Sequence, residues 1–170
     1  MKIFISYHLR DQKFREKTEN ILKHYKIDYY VVPKDINFNG RAHDYIRSCI
    51  FNEMKSCNVL LCLVGRETYS RPHIDREIHE ALKGEAGERL GIIGVLLSSR
   101  QDSFDSVDLN TFPKKLWDNR EYVVWTTWEN LNSNLLSLLD KAIENANNKN
   151  FVTNHSNSCM ELRKKKYYKK

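Results

Sequence analysis

The chain has 170 residues, of which 41% are hydrophobic and 29% are charged, and this composition is typical of one soluble globular domain and excludes wholesale disorder. The formal net charge of +6 is concentrated at the end of the chain and therefore says little about the domain itself. No apolar run approaches the roughly 18 to 20 residues of a membrane helix, and the N-terminus lacks a secretory cleavage site, so we expect a cytoplasmic protein that does not span a membrane.

Short apolar runs alternate with segments of helical period along most of the chain. The runs are rich in β-branched and aromatic residues and have the length of strands; they cover residues 2–7, 29–32, 59–65, 90–97 and 121–125. Apolar residues recur at helical spacing after each of the first three runs, and the clearest stripe follows the fifth, from Leu131 to Ala146. The segment 98–120 is polar and weakly patterned, which predicts an excursion over the surface.

This alternation predicts an α/β fold with right-handed crossovers and a mostly parallel sheet. The runs 59–65 and 90–97 are almost continuously apolar, as central parallel strands are. We therefore predict a flavodoxin-like, three-layer fold, in which helices flank a five-stranded parallel sheet of strand order 2-1-3-4-5.

The last predicted segment is a basic tail. Residues 148–170 contain seven basic residues and one acidic residue, whereas the preceding 147 residues are balanced. We predict a domain over 1–147 and a solvated, disordered tail over 148–170. The alternative is a tail that contacts nucleic acid or an anionic surface; because that alternative rests on the tail alone, the sequence disfavours a nucleic-acid-binding protein.

The predicted topology selects the loops that can form a ligand site. In such a sheet, ligands bind beyond the carboxyl ends of the strands where the strand order reverses, here between the first and third strands. The loops at that point are Ser6–Asp11 and Gly65–His73, and the loop after the second strand can fold over from the side. The acidic pattern of a phospho-receiver, the G-x-G-x-x-G motif and the P-loop motif are all missing from these positions.

Glu77 is the candidate for chemistry in the helix that Pro72 begins. It lies at the edge of the apolar stripe, which is the place of an ordinary solvated glutamate, but it is also within two turns of the crevice. Glu80 is a weaker candidate because it lies a turn further away. His73 and Glu77 have the i, i+4 spacing of metal ligands but lack a third ligand, and the four cysteines form no C-x-x-C pair, so we expect no metal and reduced, structural thiols.

At this point the residues resemble a known family. The segments "KIFISYHLRD", "PKD", "MKSCNVLLCLVGRETYSRPHIDREIHEAL" and "GIIGVLL" are similar to the Toll/interleukin-1 receptor (TIR) superfamily, specifically to the bacterial TIR-like proteins of Thoeris antiphage systems. The likeness covers about residues 2–130, with the motifs in the order and spacing of the family.

The resemblance implies a catalytic role for Glu77. In the family, the matching glutamate cleaves the nicotinamide–ribose bond of NAD⁺, which is a substrate, so no cofactor is implied. Family enzymes frequently cyclise the product into an ADP-ribose isomer, a diffusible nucleotide signal that activates a separate effector protein. Many TIR domains carry tryptophan four residues before this glutamate, and the chain has His73 there.

The resemblance also suggests substrate-binding residues, each with an ordinary alternative. Ser6 and Tyr7 would line the ribose or nicotinamide pocket, or only end a strand. Asp11 would contact a ribose hydroxyl or cap the first helix. His73 would stack on a base or pair with Glu77, or only pack at a helix start. Thr68 would line the pocket or cap a helix. Asp35 and Arg41 lie in a loop that would cover the pyrophosphate, mediate self-assembly or be a plain connection.

One rival hypothesis stays open at this level, namely a non-catalytic TIR-like module that binds protein partners or a nucleotide. Glu77 separates the two, because a module without catalytic activity has no need of a carboxylate at the crevice.

Overall fold

The computed structural model describes residues 1–32, 43–84, 88–100, 102 and 104–154. Five parallel strands form one sheet in the order β2-β1-β3-β4-β5, which confirms the predicted fold class and strand order. The strands are β1 Lys2–Ser6, β2 Asp28–Val31, β3 Val59–Val64, β4 Gly91–Leu96 and β5 Val124–Thr127. Every residue of β3 and β4 is buried, as their continuous apolar runs predict.

Helices cover both faces of the sheet. They are α1 Gln12–His24, α2 His43–Met54, α3 Pro72–Lys83, α4 Lys114–Asp118 and α5 Trp128–Asn147. One buried cluster joins residues of α2, α3 and α4 to one face, and a second joins α1 and α5 to the other. Because side chains alternate along a strand, Phe4 and Ser6 of β1 lie on the α3 face, whereas Ile3 and Ile5 lie on the α1 face.

Local sequence explains where α3 begins and ends. Pro72 occupies the first turn, where its missing N–H costs nothing, and the helix stops at Gly84, which has the left-handed φ of 71° that glycine tolerates. Ile74, Ile78 and Leu82 form the buried stripe against the sheet. The stripe and the two helix ends together fix which turn of α3 stands at the carboxyl end of β3.

Two predictions near the end of the sheet are wrong. The fifth strand begins at Val124 rather than at residue 121, because Tyr122 is drawn into the core and its hydroxyl donates to Leu90 O at 2.6 Å. The segment after β4 is also more than a surface excursion. It contains α4, and Arg100, Phe112 and Leu116 are buried.

The packed domain extends past the predicted boundary at residue 147. Arg89 donates to Phe151 O at 2.8 Å and to Asn148 O at 3.1 Å, and Thr153 is buried and donates to Leu82 O. Asn154 N–H donates to Asn119 Oδ1 at 2.6 Å. Residues 148–154 therefore belong to the domain, and the remainder of the predicted tail lies outside the described residues.

Candidate functional site

Glu77 stands on the sheet at the crevice between β1 and β3. Ser6 ends β1 and pairs in register with Cys62 of β3, and both lie beneath α3. Glu77 is only 5% exposed, so the sequence-based placement at the edge of the stripe underestimates its burial. Within the described part of the chain, no cation forms an ion pair with its carboxylate.

Burial governs the electrostatics of this carboxyl. Desolvation raises the pKa of Glu77 from 4.5 to about 7, and hydrogen bonding from Ser6 lowers it by less. The Ser6 hydroxyl is buried and makes no hydrogen bond of ordinary geometry to any described residue. The pairing of His73 with Glu77 stays a prediction.

Three further side chains feel the Glu77 charge and so mark the surroundings of the carboxyl. Burial, and to a lesser extent the charge of Glu77, raises the pKa of the Cys62 thiol to about 12. This cysteine is therefore not a nucleophile at neutral pH. Burial raises the pKa of Tyr7 and of Tyr30, and Glu77 adds to both shifts. Tyr7 is half-buried, and the Arg15 guanidinium lies 5.6 Å from the centre of its ring.

Asp11 joins the loops that follow three strands. Its carboxylate accepts a hydrogen bond from Ser99 Oγ at 3.3 Å, and a Cβ added to Gly65 would lie 2.1 Å from its Oδ2. Asp11 is 5% exposed and makes no side-chain cap on α1. Of the two predicted roles, capping is therefore wrong, and the carboxylate serves to hold the β1, β3 and β4 loops together.

Thr68 has a structural role in the turn that follows β3. Its hydroxyl accepts from Gly65 N–H at 2.8 Å and donates to Leu63 O at 3.2 Å, and the residue is 1% exposed. Both bonds close the turn after β3, and the substrate contact of Thr68 stays a prediction. The N-cap of α3 is Arg71, and Thr68 does not cap that helix.

Buried ionic contacts fix the elements around the crevice. Lys115 of α4 is 5% exposed, and its Nζ donates to both carboxylate oxygens of Asp75 at 2.9 Å, which ties α4 to the first turn of α3. Arg100 follows β4 and donates to Gly65 O at 3.3 Å and to Thr111 O at 2.8 Å. The sequence motifs did not single out either cation; two long basic side chains in polar segments carry no signal of burial.

His8 is the residue of this region that sequence reasoning missed. It is 2% exposed and follows Ser6 and Tyr7 in the β1 loop. Its Nδ1 accepts a hydrogen bond from Arg10 N–H at 3.1 Å, and its carbonyl accepts from Asp11 N–H at 2.8 Å. The only sequence signal was its place in the loop at the strand end.

The other predicted residues are less defined. His73 lies in the first turn of α3, one turn before Glu77, and is partly exposed. Asp35 and Arg41 lie outside the described residues.

Among the residues described, no group of three or more histidine, cysteine, aspartate or glutamate side chains could hold a metal ion. A search of the same residues finds no helix with the length and apolarity needed to cross a membrane.

Comparison with known proteins gives one family and a structural likeness. Residues 4–102 match the family model described as "Thoeris protein ThsB, TIR-like domain". No curated protein matches the sequence. Among solved structures, the chain is similar to the TIR domains in the structure of the activated Roq1 resistosome directly recognizing the pathogen effector XopQ. That match has 15% sequence identity and a TM-score of 0.43, and covers 86% of this chain and 83% of the other.

Proposed function

Because the chain belongs to the ThsB TIR-like family of Thoeris antiphage proteins, we propose that it cleaves the nicotinamide–ribose bond of NAD⁺ with Glu77 as the catalytic residue. The observation that carries the proposal is the burial of a carboxyl at the crevice between β1 and β3 without a cationic partner among the described side chains. An isolated buried carboxylate costs free energy of folding. A catalytic role gives a reason for that cost.

The chemistry suits such a carboxyl. Departure of nicotinamide leaves an oxocarbenium-like ribose, and a carboxylate beside the ribose stabilises its positive charge. In a site shielded from water this attraction is stronger than in solution. The positive nicotinamide ring of bound NAD⁺ also favours the ionised carboxyl, so substrate binding lowers the pKa of Glu77 from its value of about 7 in the free protein.

The fate of the ADP-ribosyl group depends on which nucleophile is held closest. Water gives ADP-ribose, whereas a ribose hydroxyl or the adenine ring of the same molecule gives a cyclic product. We favour the cyclic product, as a diffusible signal for a separate effector protein. We also propose that copies of the chain assemble with one another.

Mass spectrometry of NAD⁺ incubated with the purified protein, with and without lysate of infected cells, tests the proposal. Wild type should release nicotinamide and an ADP-ribose-derived product. Glu77→Gln keeps the size of the side chain but removes its charge, and should lower turnover by about 10² to 10⁴. Thermal melting establishes that the variant is folded.

Glu80→Gln is the matched control. Glu80 is 3% exposed and lies on the same helix, so the substitution is the same in kind and in burial. It should retain turnover within about threefold of wild type, well outside the loss expected for a catalytic carboxylate. If Glu77→Gln retains more than about a third of wild-type turnover, or if no condition yields nicotinamide, the enzyme proposal is wrong and the non-catalytic module replaces it.

A further inference from the structure

The imidazole of His8 carries a buried N–H for which the described residues provide no acceptor. Because its Nδ1 accepts from Arg10 N–H, the proton of the neutral ring resides on Nε2, which is therefore a donor. Nε2 is buried, and none of the described residues accepts its hydrogen bond. The ring is thus held in one tautomer with a donor left over.

Leaving this donor unpaired is costly. Burial, with Arg71 and Arg10 nearby, lowers the pKa of His8 from 6.5 to about 4, so the ring is neutral at neutral pH and keeps one donor and one acceptor. A buried donor without an acceptor costs about 1 to 3 kcal/mol. Buried polar groups in folded proteins are otherwise nearly always satisfied, so the orphaned N–H indicates an acceptor that arrives with a ligand.

The position of His8 identifies the site that this ligand would occupy. His8 lies two residues after Ser6, at the carboxyl end of β1, and Arg71 directly precedes α3, the helix of Glu77. The imidazole therefore stands between the β1 and β3 loops, which is where ligands bind in sheets of this topology. It lies on the same crevice as Glu77.

The charges around the ring indicate the kind of acceptor. Arg10 and Arg71 both lie near enough to His8 to disfavour its protonated form. The guanidinium of Arg10 is 74% exposed and pairs with Glu67, whose side chain is 35% exposed. An ion pair this exposed contributes about 0 to 1 kcal/mol. A ligand anion can therefore replace Glu67 at Arg10 and open the contact between the two loops.

We propose that His8 is a substrate-positioning residue whose Nε2–H binds a phosphate oxygen of the dinucleotide, with Arg10 and Arg71 supplying positive charge around that oxygen. This inference rests on the proposed function for the identity of the ligand. It assigns His8 to binding and leaves bond cleavage to Glu77.

Two amide substitutions separate the donor from the cap. Asparagine places an acceptor near the Nδ1 position and can keep the bond from Arg10 N–H, but it has nothing at Nε2. Glutamine places an N–H donor near the Nε2 position and loses the Nδ1 acceptor. A residue that only caps the β1 loop is rescued by asparagine, whereas a substrate-positioning donor is rescued by glutamine.

The binding experiment uses the full chain carrying Glu77→Gln, which should cleave NAD⁺ too slowly to disturb the measurement, and measures affinity by isothermal titration calorimetry. Adding His8→Asn should weaken NAD⁺ binding about 10-fold or more, as for loss of a hydrogen bond to a charged group. Adding His8→Gln should weaken it by less than about 3-fold. Inorganic pyrophosphate should compete with NAD⁺ in the Glu77→Gln protein.

NMR of the unsubstituted His8 ring tests the proposal even if the His8 variants fail to fold. In spectra of ¹⁵N-histidine-labelled Glu77→Gln protein, the His8 Nε2 signal should shift on addition of NAD⁺ while the ring stays neutral. In the Glu77-intact chain, His8→Asn should raise KM for NAD⁺ more than it lowers kcat.

The outcomes are separable. Three results would overturn the assignment of His8. The first is that His8→Asn retains NAD⁺ binding while His8→Gln loses it, and the second is an equal loss of binding in both variants. The third is a His8 Nε2 signal that does not shift when NAD⁺ is added. Failure of pyrophosphate to compete overturns the phosphate oxygen as the acceptor. NAD⁺ binding by Glu77→Gln without any cleavage by wild type overturns the proposed function and leaves the His8 test valid. If Glu77→Gln does not bind NAD⁺ at all, both proposals fall.

Discussion

Replacing Glu77 with glutamine should stabilise the fold, and the gain should grow with pH. Burial raises the pKa of Glu77 from 4.5 to about 7 in the folded protein. The folded state therefore holds this proton more tightly than the unfolded state, and the free energy of unfolding falls as pH rises through that interval. Glutamine has no proton to lose and removes this dependence.

The interval between the two pKa values sets the magnitude. At 1.36 kcal/mol per pH unit, ionisation of Glu77 costs about 3 kcal/mol above pH 7, and about 1 kcal/mol at pH 5. The stabilisation by Glu77→Gln should therefore increase by about 2 kcal/mol between pH 5 and pH 8. For a chain of this length, that corresponds to a difference in Tm of roughly 4 to 8 °C.

Urea unfolding of wild type and Glu77→Gln at pH 5 and pH 8 measures this increase. Glu121→Gln is the control, because that side chain is 87% exposed and its substitution should have the same effect at both pH values. A glutamate retained for stability would give the opposite result, with glutamine destabilising at pH 8. That result, or a difference between the proteins that does not change with pH, would refute the reasoning from burial.

The remaining predictions concern activity and the loop junction. The kcat/KM for NAD⁺ should fall as pH drops below about 7, because the ionised carboxylate of Glu77 is the active form in the free enzyme. The kcat should begin to fall only at lower pH, because bound NAD⁺ favours ionisation of Glu77. A pH–rate profile from pH 5 to 9 measures both, and a flat profile contradicts the assignment. Gly65→Ala should destabilise the fold by about 2 kcal/mol or more, because the added Cβ would stand 2.1 Å from Asp11 Oδ2. Chemical denaturation should show a smaller effect of Gly65→Ala in an Asp11→Ala background. Equal effects in the wild-type and Asp11→Ala backgrounds would exclude the clash as the cause. His73→Ala should lower NAD⁺ turnover while leaving the melting temperature unchanged, and His73→Trp should restore part of the loss; unchanged turnover in His73→Ala would leave this residue a structural role only.

Periodicity and strand composition in the sequence are enough to predict the architecture. The apolar runs at 59–65 and 90–97 predict buried parallel strands, and the structure confirms β3 and β4 as fully buried. Pro72 and the stripe beginning at Ile74 predict α3. Connection rules leave few strand orders for such a sheet, and the structure confirms the predicted order 2-1-3-4-5.

Tertiary structure alone decided what each polar residue does. In the sequence Asp11 was a candidate cap of α1, but its carboxylate instead holds the loops that follow β1, β3 and β4 together. Such contacts join positions far apart in the chain, and a local pattern has no information about them. The same holds for Tyr122, whose hydrogen bond to Leu90 O moves the start of β5.

The sequence by itself determined which residues could form a site, because the rule for strand ends needs only topology. Three-dimensional packing decided the state of those residues. The depth at which α3 seats Glu77 on β1 and β3 removes water from its carboxyl and raises its pKa. The same packing shuts His8 Nε2 away from solvent without an acceptor among the described residues. Solvation is a property of every atom that surrounds a group, so it is fixed only when the distant segments of the chain come together.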